Sequence, residues 1–211
     1  MPLFVSFEGI EGSGKTTQFE YLAGYLKNKG FNVVKTREPG GSRLGERVRA
    51  MLLKEEINIS PQAELFLIMA QRAQHVEEVI LPALSQGKFV ICDRFIDATV
   101  AYQGYGRGLD LELIRYLNGI VTRNVTPHLT ILLDCDIETG LKRKGGIRGG
   151  LKDRFEKEQR DFHERVRKGY LEIAACEKGR VRVIDGNREK NLVREEVIRS
   201  IEEILANYGI C

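Results

Sequence analysis

Short apolar runs alternate with longer amphipathic stretches along this chain. Residues 3–7, 31–36, 89–92, 129–133 and 181–184 are β-branched or aromatic runs, each followed by polar or glycine-rich residues, and they read as five strands. Residues 15–29, 44–54, 61–86, 111–122, 155–177 and 189–207 carry apolar positions at helical spacing. The third of these opens with Ser60 as a cap and Pro61 where a helix tolerates proline. Because the strands are mostly apolar throughout and alternate with helices, the pattern predicts an α/β fold: a parallel sheet covered by helices on both faces. No repeat, low-complexity tract or linker interrupts the chain, so residues 1–211 are expected to form one domain. Residues 144–152, rich in glycine and basic side chains, read as a mobile loop between two helices.

Composition narrows the class. Hydrophobic residues make up 42% and charged residues 30%, as in soluble globular chains. No apolar run is long enough to span a bilayer, and residues 3–7 lack the basic leader and cleavage site of a secretory signal; a cytoplasmic protein without a membrane partner is expected. The net charge of +3 gives no argument for a nucleic-acid partner. Cys92, Cys135, Cys176 and Cys211 show no metal-ligand spacing and read as reduced thiols, the first two as core residues.

Chemistry enters at the end of the first strand. Gly9, Ile10, Glu11, Gly12, Ser13, Gly14, Lys15 and Thr16 fit GxxxxGK[ST] with a strand before and a helix after, and Thr17 follows. Glycines let backbone N–H groups and the helix N-terminus face phosphate oxygens; Lys15 offers a charge to the β and γ phosphates, and the Thr16 hydroxyl a ligand to magnesium (Mg2+). A carboxylate facing inward would repel a triphosphate, so Glu11 is expected to face a ligand hydroxyl instead. The loop has no other cation between Gly9 and Gly14, which assigns charge neutralisation to the basic region after Lys142.

A second anion site is indicated by Asp93 and Arg94, which end the run 89–92 at the sheet edge where ligands bind in parallel α/β folds. Asp93 is placed to reach magnesium or its water shell. Arg37 and Glu38 also follow a strand, and Arg49 and Arg72 sit on helices facing the cleft. Water needs no such set of arginines, whereas an acceptor phosphate does.

With these residues the chain resembles the bacterial thymidylate kinases: the phosphate loop with Glu11, REPGG at 37–41, AQRAQH at 70–75, DRFIDATVAYQG at 93–104 and DRFE at 153–156 occur in order over nearly the whole length. The resemblance implies a three-layer P-loop fold with a five-stranded parallel sheet and a short lid at roughly 143–155. It also implies a magnesium-dependent homodimer that transfers the γ-phosphoryl of ATP to dTMP. Glu11 would take the sugar 3′-hydroxyl. Arg94 and Arg49 would clamp the acceptor phosphate, with Arg37 and Glu38 organising that corner. Arg72 would contact thymine, Thr99 and Gln103 would read its polar edge, and Tyr102 would occupy the place of a ribose 2′-hydroxyl. Arg143 resembles the arginine that stacks on adenine, and Arg148 or Arg154 the catalytic lid arginine. Two positions depart from the pattern: Ala98 replaces a serine, and Ile68 stands where an aromatic usually stacks on thymine.

An acceptor phosphate is already anionic, so no general base is required, and His75, His128 and His163 read as structural. Catalysis then reduces to positioning and charge stabilisation by Lys15, magnesium, Arg94 and a lid arginine. The alternatives are a kinase for another nucleoside monophosphate or a free deoxynucleoside, and a nucleotide-dependent switch, which would have no use for AYQG or a basic lid. The apolar faces of 64–84 and 111–121 suit either a dimer interface or the core.

Overall fold

A computed structural model describes residues 2–53, 57–147, 154–155 and 158–209. Five parallel strands form one sheet in the order β2 (Val33–Arg37), β3 (Phe89–Asp93), β1 (Phe4–Glu8), β4 (Leu129–Asp134), β5 (Val181–Asp185). β1 is central: Phe7 stands beside Asp93 of β3 and Ile131 of β4.

The two-residue repeat of the strands sorts the core into two faces. Val5, Phe7, Ile91, Ile131 and Leu133 pack under α1 (Lys15–Asn28) and α9 (Lys190–Asn207) through Phe19, Leu22, Leu26, Val193, Val197 and Ile201. Phe4, Val90 and Cys92 face the opposite way, onto Val76, Ile80, Ala83 and Phe95. Ser6, on this second face, spends its hydroxyl on Thr130 at 2.8 Å.

α2 spans Arg43–Leu53 and α3 Pro61–His75, where the Ser60 side chain accepts from the Ala63 N–H as the sequence predicts. The predicted helix 61–86 is not regular to its end. It passes through a π-helical turn, Val76–Ile80, into α4 (Leu81–Ser85), and the Leu81 N–H bonds to Val76 O. Pro82 explains the change: it has no N–H and its ring crowds the carbonyl four residues earlier.

After β3 come α5 (Ile96–Thr99) and a second π-helical turn, Val100–Gly106, which periodicity does not disclose because π winding breaks the helical spacing. α6 (Leu111–Thr122) follows, capped by the Asp110 carboxylate on the Leu113 N–H. Two readings need correction. The first part of the expected loop 144–152 is helical, since α7 runs Ile137–Ile147; residues 148–152 lie outside the described set. The helix expected to start at 155 begins at Arg160, as α8 (Arg160–Cys176), after Gln159 in extended conformation. Cys92, Cys135 and Cys176 are free thiols, the first two buried as expected, and Cys211 lies outside the described residues.

Candidate active site

The phosphate loop joins β1 to α1. Gly9 (φ 135°), Gly12 (φ 73°) and Gly14 (φ 97°) all take backbone conformations that favour glycine. Space is as decisive as conformation: a Cβ on Gly12 would lie 2.0 Å from Gly140 O in α7, so the loop seats directly on that helix. Lys15 Nζ donates to Gly9 O at 3.0 Å and Ile10 O at 2.8 Å, across the mouth of the loop. Burial pulls its pKa down to about 8. Ser13 Oγ is buried with no hydrogen-bond partner among the described residues, and Thr16 and Thr17 are exposed on the first turn of α1. Ile10 turns away into the core beside Leu132 and Ile137.

Pairing of β1 with β3 brings Asp93 and Arg94 alongside this loop. Arg94 holds φ 68°, a left-handed conformation costly for a side-chain-bearing residue, and its N–H is tied to Phe7 O at 2.9 Å. The turn lifts its guanidinium into a dense cluster. NH1 donates to Tyr170 Oη (3.0 Å); NH2 donates to Glu11 Oε1 (2.7 Å) and Tyr102 Oη (3.0 Å). Tyr102 Oη in turn reaches both Glu11 oxygens, at 2.9 and 2.7 Å. Glu11 therefore leaves the phosphate loop toward a hydroxyl and a cation, as its charge requires, and both belong to the chain itself. Burial opposes the charge on Arg94, but Tyr102, Tyr170, Glu11 and Asp93 hold its pKa well above the usual value.

Glu8 lies beneath this cluster. Oε1 accepts from the Phe95 N–H at 2.7 Å and Oε2 from Tyr170 Oη at 2.8 Å. Burial, followed by the charge of Asp97, pushes its pKa up to about 7 against the opposing pull of Arg94, the Phe95 N–H and Tyr170. Asp93 Oδ1 is buried with no hydrogen-bond partner among the described residues, although the Asp93 carbonyl accepts from the Glu38 N–H at 2.9 Å.

The corner 37–41 follows β2 through a cis Glu38–Pro39 bond. Glu38 is buried, with Oε2 on Arg72 Nε (2.7 Å) and Oε1 on His75 Nδ1 (2.8 Å). Burial would raise its pKa, but Arg72 and His75 bring it below the usual carboxylate value. His75 also meets Thr36 Oγ1 at 2.6 Å, so its role is structural, as read from the sequence. Arg72 is only 1% exposed and donates further to Thr99 Oγ1 (2.9 Å), Asn118 Oδ1 (2.6 Å) and Phe95 O (3.0 Å). Four of its five N–H groups are thereby spent within the protein. Arg49 donates to Pro39 O at 3.0 Å, and Arg37, exposed, pairs with Glu46 at 2.9 Å.

Gln103 meets Glu64 instead of lying with Arg72. Its Nε2 donates to Glu64 Oε1 at 2.7 Å, and the same buried carboxylate takes Arg107 and Arg154. Arg107 also pairs with Glu158 at 2.5 Å. Tyr102, Phe155, Phe162 and Tyr170 pack edge to face around this cluster. Ile68 packs with Val48, Leu52 and Ile59. Arg143 donates to Gly186 O (2.6 Å) and Asn187 O (3.3 Å) on the loop after β5. A Cβ on Gly186 would lie 3.0 Å from Ser13 O, so Arg143 is on the phosphate-loop side of the cleft. Arg148 lies outside the described residues.

Sequence reasoning missed Glu8, Glu64, Asn118 and Tyr170. For Glu8 a signal was present: an acid terminating an otherwise apolar central strand must find partners where it is buried. Glu64, on an amphipathic helix, gives no such sign.

Comparison with known proteins bears directly on this pair of clusters. The thymidylate kinase family model matches residues 7–197. The thymidylate kinase of Geotalea daltonii is 52% identical over 207 residues, covering 95% of this chain and 97% of that one. That of Desulfovibrio desulfuricans is 49% identical over 213 residues, covering 98% of each. The crystal structure of thymidylate kinase from Ehrlichia chaffeensis superposes with a TM-score of 0.78 at 41% identity, over 95% of this chain and 98% of that one. The chain belongs to the thymidylate kinase family, and it transfers the γ-phosphoryl group of ATP to dTMP, giving dTDP and ADP.

Proposed function

We propose that the two clusters divide this reaction, the phosphate loop holding ATP and the Arg94 cluster holding dTMP, within one kinase domain spanning 1–211. Lys15 is the donor-side cation; phosphate oxygens replace Gly9 O and Ile10 O as its partners, and the backbone N–H groups from Gly9 through Thr17 complete the cradle. Arg143 faces adenine. Arg94 and Arg49 take the acceptor phosphate, Arg37 and Glu38 order that corner, and Arg72, Thr99, Gln103 and Ile68 surround the base. Glu11 takes the sugar hydroxyl and Tyr102 closes the 2′ side.

The residues present fit magnesium. Among the described residues Asp93 Oδ1 has no hydrogen-bond partner, Thr16 is exposed, and no group of three or more acidic, His or Cys side chains forms a protein cage. Two protein oxygens suit a hard cation that keeps its waters and takes its remaining ligands from phosphates. When bound, it would neutralise charge on the phosphate oxygens.

The acceptor oxygen is already anionic, so the chain supplies position and charge and no general base. Lys15 and a lid arginine, Arg154 or Arg148, share the charge of the transferred group, while Arg94 aligns the attacking oxygen. The enzyme is assigned to the cytoplasm; no helix among the described residues is long and apolar enough to cross a membrane. A homodimer is supported by exposed apolar side chains on α3 and α6.

The single observation that carries this reading is the Arg94 guanidinium, lifted by a left-handed backbone between Glu11 and Asp93. Replacing Arg94 with Ala is expected to lower dTMP turnover by about a thousandfold or more, with ATP binding, measured by calorimetry, retained. Loss of both together would make Arg94 structural.

A further inference from the structure

Gln103 is expected to read the base, yet a side-chain amide presents a donor on one side and an acceptor on the other, so its orientation decides what it reads. Its Nε2 lies 2.7 Å from Glu64 Oε1, and this is the only hydrogen bond of its side chain among the described residues. An ionised carboxylate accepts and cannot donate, so the Glu64 side of the amide must be the NH2 group. Glu64 is itself fixed: it is fully buried, Arg107 spans both its oxygens at 3.2 Å, and Arg154 closes on Oε2. Arg107 is in turn held over the Phe162 ring at 4.7 Å and by Glu158.

We propose that Glu64 is a positioning residue for acceptor specificity: by engaging Nε2 of Gln103 it leaves the amide oxygen as the group offered to the base, selecting a pyrimidine with an N3–H donor over cytosine. Thymine carries hydrogen on N3 and welcomes an acceptor there. Cytosine has a lone pair at that atom, and two acceptors face one another. A reversed amide would invert the preference. This inference rests on the reading of Gln103 as a base contact.

The test is the ratio of kcat/KM for dTMP to kcat/KM for dCMP. In Glu64→Gln the new amide can donate or accept, Gln103 is released to turn over, and the ratio is expected to fall about tenfold or more; any effect of releasing Arg154 acts on both acceptors and cancels in the ratio. In a Gln103→Met background the same substitution should leave the ratio where Gln103→Met alone puts it. Equal losses on both acceptors, or an unchanged ratio, would overturn the proposal. Should Glu64→Gln fail to fold with two guanidiniums left short of charge, Glu64→Asp keeps the charge and withdraws the acceptor by one methylene; here too the ratio must fall, and a wild-type ratio refutes the idea. Gln103→Met separates the layers. If it alone leaves the ratio intact, the base-contact reading fails and the proposal with it. If it lowers the ratio while neither Glu64 variant does, only the positioning role of Glu64 is lost.

Discussion

Glu8 shows what one buried acid does to a folded state. Its carboxyl is buried and feels the charge of Asp97, so its pKa rises from 4.5 to about 7 although Arg94, the Phe95 N–H and Tyr170 stabilise the charge. The folded protein thus holds this proton more tightly than the unfolded chain. The resulting stabilisation is complete below about pH 4.5 and is lost as pH rises through about 7, at most on the order of 3 kcal/mol. Glu8→Gln removes that titration. The melting temperature of the wild type relative to Glu8→Gln should therefore decline as pH is raised from about 5 to about 8, and a constant difference would refute it. Lys15, whose pKa is lowered to about 8 by burial, works in the other direction at higher pH, but it is common to both proteins and cancels. At this scale the sequence disclosed residue types better than partners. Glu11 could be seen to need a hydroxyl because the triphosphate expected in the loop would repel it; that Arg94 is its cation depends on a left-handed turn at Arg94, which no propensity announces. The resemblance points Arg72 at the base, but its bonds to Glu38, Thr99 and Asn118 join residues up to 46 positions apart and could not be read from the sequence.

Among the elements, α7 is one that periodicity concealed, because KRKGG dilutes its apolar stripe. Its glycine is the reason it matters. Gly140 backs onto the phosphate loop so closely that a Cβ there would lie 2.5 Å from Glu11 O. Ala is the better helix former by about 1 kcal/mol, so in an unencumbered helix Gly140→Ala would stabilise. Here the obstacle is backbone on both sides, and the loop must move. Gly140→Ala is expected to raise KM for ATP and lower kcat, together about tenfold or more, since sub-ångström displacement of a positioning element is costly. Steady-state kinetics with ATP varied decides: a wild-type KM with a raised melting temperature would mean that the loop tolerates the methyl group. α1 was legible from its glycine-rich lead-in and helical spacing, while the π-helical turn Val100–Gly106 was not, because π winding breaks the helical spacing.

For the molecule as a whole, alternation of strands and helices announced a parallel sheet, but not its order. Placing β1 between β3 and β4 is what sets the phosphate loop beside Asp93 and Arg94, since ligands gather where neighbouring connections diverge at the sheet edge. The apolar faces of α3 and α6 were ambiguous for a similar reason, as core and interface share one composition. Exposure separates them. On α6, Ile114 is buried and Leu117 and Val121 pack against the core, whereas Leu113, Tyr116 (68% exposed) and Ile120 (55%) point outward at i, i+3 and i+7, with Phe66 (57%) exposed on the neighbouring α3. A helix apolar on both sides is costly in water unless its second side is covered, and a second copy of this chain is the occupant we assign. A charge on such a face leaves the fold untouched and opposes association. Ile120→Glu should therefore convert a dimer into a monomer by sedimentation equilibrium with little change in circular dichroism. A wild-type chain that is monomeric at the same concentration would remove the homodimer, and a variant that stays dimeric would move the interface elsewhere.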